Sequence, residues 1–133
     1  MRITASAVSL NVADPEASSQ FLQRHFGFAE AMSADGFASL ARPDAGLNVV
    51  FLRTGLGTFR PASHAGPAAE GLLLAFVVDD VDGEWARLQA EGVPVATPLA
   101  TEPWGERHLQ VLDPNGIVVQ LVQWEGSTGS GPA

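Results

Sequence analysis

One pattern occurs twice, and it constrains this chain more than any other feature. An aspartate that follows an apolar stretch stands 13 residues ahead of a glycine, first as Asp14 to Gly27 and again as Asp79 to Gly92. In each copy the glycine is followed by an apolar residue, Phe28 or Val93. The two copies are offset by 65 residues in a chain of 133. In the first, Val8, Leu10 and Val12 alternate with Ala7, Ser9 and Asn11, the period of a half-buried strand. Asp14-Pro15-Glu16 then has the chemistry of a helix start: a capping carboxylate, a proline at the first helical position and an acidic first turn. Ser18, Phe21, Leu22 and His25 follow at helical spacing, and Gly27 closes the element. Strand-like pieces near 28–33, 37–42 and 47–53 are separated by Asp35-Gly36 and Asp44-Ala45-Gly46 turns.

After a Gly- and Pro-containing loop over 54–70, the order restarts. Leu72 to Val78 reads as a strand, and Asp79-Asp80 caps a helix with Val81, Trp85 and Leu88 on one stripe. Strands near 93–99, 106–112 and 117–124 complete the copy. The last two are joined by Asp113-Pro114-Asn115-Gly116, the counterpart of Pro43-Asp44-Ala45-Gly46. The reading is therefore an α+β fold of two tandem βαβββ modules, 1–53 and 71–125, with a flexible tail over 126–133. One such unit has too little core to stand comfortably alone. Two can share one, with helices on the outer face and concave inner sheet faces forming a ligand cup.

Composition excludes several functions. Fifteen acidic against seven basic residues give a formal charge of −8, which argues against nucleic acid, since phosphate binding needs clustered Lys and Arg. The same charge would steer a cationic small molecule inward, or simply serve solubility. With no cysteine there is no disulfide, thiolate metal site or thiol nucleophile. No run approaches membrane-spanning length, so no membrane partner is expected and the location expected is cytoplasmic.

The stretches VSLNVADPEASSQFLQRHFGF and LLLAFVVDDVDGEWARLQAEGVPV, ending in PWGERHLQVLDPNGIVVQLVQW, resemble the two half-motifs and closing hairpin of the vicinal oxygen chelate superfamily. That group includes glyoxalase I, extradiol dioxygenases and bleomycin-resistance proteins, and the resemblance runs from residue 5 to 124. It implies a divalent metal held by four side chains in the enzymes. Carried over, the first ligand position falls on Ala7, the second on Phe51 (or Val50 if the register slips by one), the third on Leu73 and the last on Gln120. Three of these cannot coordinate a metal, and an amide is a poor ligand without charged help. His25, His64 and His108 are the only histidines and form no paired metal motif. No metal and no cofactor is expected.

Phe51 and Leu73 in place of ligands would make the cup apolar, suited to an organic guest. Gln120 alternates with Val118, Val122 and Trp124 on the cup side, while Val119 and Leu121 pack under the helix. It is either a structural amide bonded to a neighbouring strand or one that orients the guest. Trp104, beside Gly105 in a loop, is either core or a stacking platform. Trp85 reads as core, and Trp124 as core edge or dimer contact. Ser9, Asn11, His108 and Gln110 would supply polar anchors. Arg107 is expected to pair with Glu106 or Glu102, and Asp113 to organise its turn with no catalytic role. No catalytic residue is assigned. The function expected is a metal-free binding protein that sequesters a hydrophobic, partly aromatic natural product or antibiotic. By family resemblance it would be a homodimer, its modules pairing within one chain or swapped between two. The alternative is a lyase, dioxygenase or isomerase of the same superfamily; its metal-free form would use His108 as general acid–base.

Overall fold

Two capping carboxylates start the two helices. Asp14 Oδ1 accepts a hydrogen bond from the Ala17 amide at 3.2 Å, and Asp80 Oδ1 accepts from the Gly83 amide at 3.0 Å. The second cap is thus Asp80 and not Asp79, so the second helix begins one residue later in its repeat than the first. In the computed structural model, which describes residues 1–68 and 70–125, these helices are α1 (Pro15–Phe26) and α2 (Val81–Ala90). Gly27 and Gly92 follow them with φ of 68° and 72°, a left-handed turn that glycine enters without steric cost. The tail over 126–133 lies outside the described residues.

Eight strands complete the chain: β1 (Ala7–Val12), β2 (Ala29–Ala34), β3 (Phe37–Ala41), β4 (Asn48–Arg53), β5 (Leu73–Val77), β6 (Val95–Thr101), β7 (Glu106–Leu112) and β8 (Val118–Trp124). They form two four-stranded sheets of the same topology, β1-β4-β3-β2 and β5-β8-β7-β6, each with one parallel and two antiparallel pairings. The architecture is α+β, with two tandem βαβββ modules. The chain divides into two units at Glu70/Gly71. The loop after β4 belongs to the first: the Thr54 amide donates to Val12 O, and the Ala68 amide to Asn11 O at 2.8 Å.

Each module buries one face of its sheet under its own helix. In the first, Leu10, Val12, Ala38, Leu40, Val49 and Phe51 are buried, and they meet Ser18, Phe21, Leu22 and Phe26 of α1. In the second, Leu74, Leu109, Val111, Val119 and Leu121 are buried with Val81 and Leu88 of α2. Trp85, expected in the core, is only half-buried. His25 is half-buried too, its ring edge-on to Phe21 at 5.1 Å between centroids. Gln123 ties α2 to the sheet: its Oε1 accepts from the Val81 amide and its Nε2 donates to Asp79 O.

The alternation along β8 is directly testable. Leu121→Ala opens a cavity beneath α2 and should cost about 2–5 kcal/mol in urea denaturation. Val118→Ala removes less buried surface from the other face and should cost less than about 1 kcal/mol. A larger loss for Val118→Ala than for Leu121→Ala would mean the strand is turned over.

Candidate functional site

Opposite α2, the second sheet presents a face with no helix of its own module, and the strand registers arrange its side chains in rows. One row runs Leu73, Val118, Leu112. The next runs Ala75, Gln120, Gln110, Thr97, and the third Val77, Val122, His108, Ala100. Leu73 and Val77 are 47% and 39% exposed, so the β5 end of this face is open and apolar. The middle row is polar and internally bonded. The Thr97 hydroxyl donates to Gln110 Oε1 at 2.7 Å, and Gln110 Nε2 donates to Gln120 Oε1 at 2.7 Å. Gln120 is therefore a sheet-bonded amide, half-buried, with its oxygen already engaged.

His108 lies in the adjoining row, 8% exposed. Its Nε2 sits 3.0 Å from Glu102 Oε1 and 3.9 Å from Glu106 Oε1. A carboxylate only accepts, so Nε2 carries the proton, and Nδ1 has no hydrogen-bond partner among the described residues. Beyond this row, Glu106 pairs with Trp124, and the Glu125 amide donates to Gly105 O. These bonds bring Trp104 and Trp124 to the same end of the sheet. Trp104 is 66% exposed, which removes the core reading for it.

In the first sheet, Ser9 pairs with Val50, and Val50 with Ser39, on the face away from α1. Two expectations need correction here. Phe51, expected to line the cup, is 1% exposed on the helix side, among Leu10 and Ala38. Val50 holds the open-face position, so the register slips by one. Asn11 is no free anchor either: its amide donates to His64 O at 3.1 Å and Gly66 O at 2.8 Å, pinning the loop after β4.

Arg107 also departs from expectation. It forms an ion pair with Asp82 of α2 at 2.7 Å and donates to Thr101, while Glu102, one of its two expected partners, serves His108. Thr97 and Glu102 were not foreseen in the site. Thr97 sits between two irregularities in the β6–β7 register, where strict alternation fails. A separate open groove of about 600 Å³ runs beside the start of α1, walled by Asp14, Glu16, Glu30, Asp35 and Arg53. Two of these carboxylates have structural duties, Asp14 as helix cap and Asp35 as the partner of Arg53 at 3.0 Å.

The metal that the enzymes of this superfamily use does not fit these residues. Ala7, Val50 and Leu73 offer no donor atom. Gln120 offers an amide oxygen that already accepts from Gln110. Among the described residues, no three His, Asp or Glu side chains are arranged to hold a metal ion. No helix among them is long and apolar enough to cross a membrane.

Arg107 holds the Asp82 carboxyl below the ordinary carboxylate range, chiefly through its hydrogen bond. A carboxyl depressed by folding stabilises the fold above its unfolded value. That contribution is lost as pH falls through the lower folded value. In a carboxyl-detected NMR titration, Arg107→Gln should move the Asp82 midpoint upward toward the ordinary range. An unchanged midpoint would show that the pair does not persist in solution.

Comparison with known proteins agrees with this architecture. The profile of the Glyoxalase/Bleomycin resistance protein/Dioxygenase superfamily matches residues 4–121. A glyoxalase/bleomycin resistance protein/dioxygenase from Nocardioides superposes with a TM-score of 0.77 at 24% identity, covering 100% of this chain and 91% of that one. TnmS3, an antibiotic binding protein from Streptomyces sp. CB03234, is 31% identical with a TM-score of 0.68, covering 94% and 99%. TioX from Micromonospora sp. ML1 is 26% identical with a TM-score of 0.68, covering 92% and 99%. No curated protein matches the chain. Repeat, topology and profile agree: this chain belongs to the glyoxalase/bleomycin resistance protein/dioxygenase superfamily.

Proposed function

We propose that the protein is a metal-free binder that sequesters a hydrophobic, partly aromatic small molecule, an antibiotic or related natural product, without transforming it. One observation carries this reading. Where the family's enzymes keep their last metal ligand, this chain has an amide whose oxygen is occupied by a neighbouring amide 2.7 Å away. The other three positions hold side chains without a donor atom. A surface of Leu73, Val77 and Val118 around a small number of fixed polar groups suits an organic guest better than a cation. Trp104, exposed at one end of that surface, is the natural stacking platform, with Trp124 nearby. Ser9 and Val50 would supply the equivalent surface on the first sheet. The formal charge of −8 favours the approach of a cationic drug. The likeness to TnmS3, an antibiotic binding protein, supports the same reading. We propose a homodimer as the working assembly.

A second reading has its own observation. The His108–Glu102 pair leaves Nδ1 buried and without a hydrogen-bond partner among the described residues, an arrangement that a metal-free isomerase or lyase could use. The two readings separate experimentally. Chelator-treated protein titrated calorimetrically with Fe, Mn, Ni, Co and Zn divalent ions should show no stoichiometric site. Aromatic antibiotics should quench tryptophan fluorescence at one molecule per cup and be recovered unchanged. Trp104→Ala should weaken that binding by about threefold to tenfold, the worth of one aromatic contact. His108→Ala should leave binding largely in place. Turnover of the guest that His108→Ala abolishes would establish the enzyme instead.

A further inference from the structure

The middle row of the second sheet is a directed relay, and its direction determines what a guest must offer. Thr97 donates to Gln110, and Gln110 donates onward to Gln120. Each amide oxygen in the row therefore already accepts one hydrogen bond from its neighbour. The Gln120 amide nitrogen, by contrast, makes no hydrogen bond among the described residues. It stands beside Ala75, on the apolar and open side of the sheet. An amide N–H left unpaired when a guest covers it would cost more than the bond is worth when made. The asymmetry turns one side chain into a selector.

We propose that the Thr97–Gln110–Gln120 relay makes this face a donor site, selecting planar aromatic guests that carry a carbonyl acceptor, such as aryl ketones, quinones or aromatic amides. This rests on the binding reading above. Thr97 and Gln110 act as positioning residues: they touch no guest and act by fixing which end of Gln120 faces outward. Opposite polarity would select hydroxyl or amine donors of the same shape.

The test uses 9-fluorenone and fluorene, planar molecules that differ by a carbonyl against a methylene. It combines tryptophan quenching with assigned side-chain amide NMR signals of the full chain. Fluorenone should bind at least about tenfold more tightly, the usual worth of one buried hydrogen bond with its desolvation. The Gln120 amide protons should shift with fluorenone and stay in place with fluorene. Gln120→Glu keeps an acceptor for Gln110 but has no donor to offer, so the preference should vanish. Thr97→Val should reduce the preference by freeing both amides to flip, and Thr97→Ser should restore it. Equal binding of the two compounds overturns the proposal and leaves the binding function standing. So does tighter binding of 9-hydroxyfluorene than of fluorenone with an amide spectrum showing the reversed relay. Quenching by none of the three, alongside failure with the antibiotics, removes the binding function and the proposal together.

Discussion

The Asp113 carboxylate sets the geometry on which the candidate site depends. It is 7% exposed, and its Oδ1 accepts from the Asn115 amide at 2.9 Å and the Ile117 amide at 2.8 Å. Those two bonds close the β7–β8 turn in one register, which the Asp113 amide continues by donating to Ile117 O. With the turn fixed, Gln110 must face Gln120 and His108 must face Val122. A slip of one residue would send Leu109, Val111, Val119 and Leu121 to the open face and bring the glutamines under α2. The hydrophobic cost of that exchange, four large side chains at about 1.5–3 kcal/mol each, far exceeds any gain in the relay. Core burial and turn chemistry thus agree on one register, and the make-up of the open face follows from it.

Much of this was legible in the residues alone. The doubled Asp-to-Gly spacing carries the two modules because caps and left-handed glycines are local chemistry that a short window reveals. The same holds for the Asp113 turn and for Gln120 alternating against Val119 and Leu121. What stayed hidden depends on partners far along the chain. Asn11 looks like an open-face residue by alternation, yet it is claimed by carbonyls at His64 and Gly66, more than 50 residues away. Phe51 was misplaced by a single position, because an apolar run such as Val49-Val50-Phe51-Leu52 has no polar residue to mark its faces. Thr97 escaped because irregular pairing in β6 breaks the period-two rule at the point where it bonds Gln110. Glu102 was assigned to Arg107 by proximity in sequence, whereas the β6–β7 connection turns it toward His108.

Family membership and site chemistry answer different questions here. The superfamily fold places two similar sheets in one chain, and its members span lyases, oxygenases and binding proteins, so the fold alone does not choose among them. The proposed reading rests instead on what occupies the family's ligand positions. Substituting alanine, valine and leucine for charged ligands removes any incentive for a cation to lose its water shell there. It also removes the polar cost that would otherwise oppose an apolar guest.

A glutamine at position 120, in place of the family's usual carboxylate, fits that reading. A glutamate on this face without a metal would be a charge facing Leu73 and Val118, and covering it with an apolar guest would require several kcal/mol of desolvation. An amide keeps the shape and the bond to Gln110 while carrying no net charge. Its amide nitrogen costs far less to desolvate than a charge, and acceptors on a guest would offset that cost. The relay through Gln110 and Thr97 goes further, because a lone glutamine can present either end and would bind donors and acceptors alike. Tied in a row, it would favour presenting its nitrogen. On the proposed reading, coupling this amide to two neighbours would give an otherwise apolar surface a polarity, and with it a basis for choosing among guests of the same size.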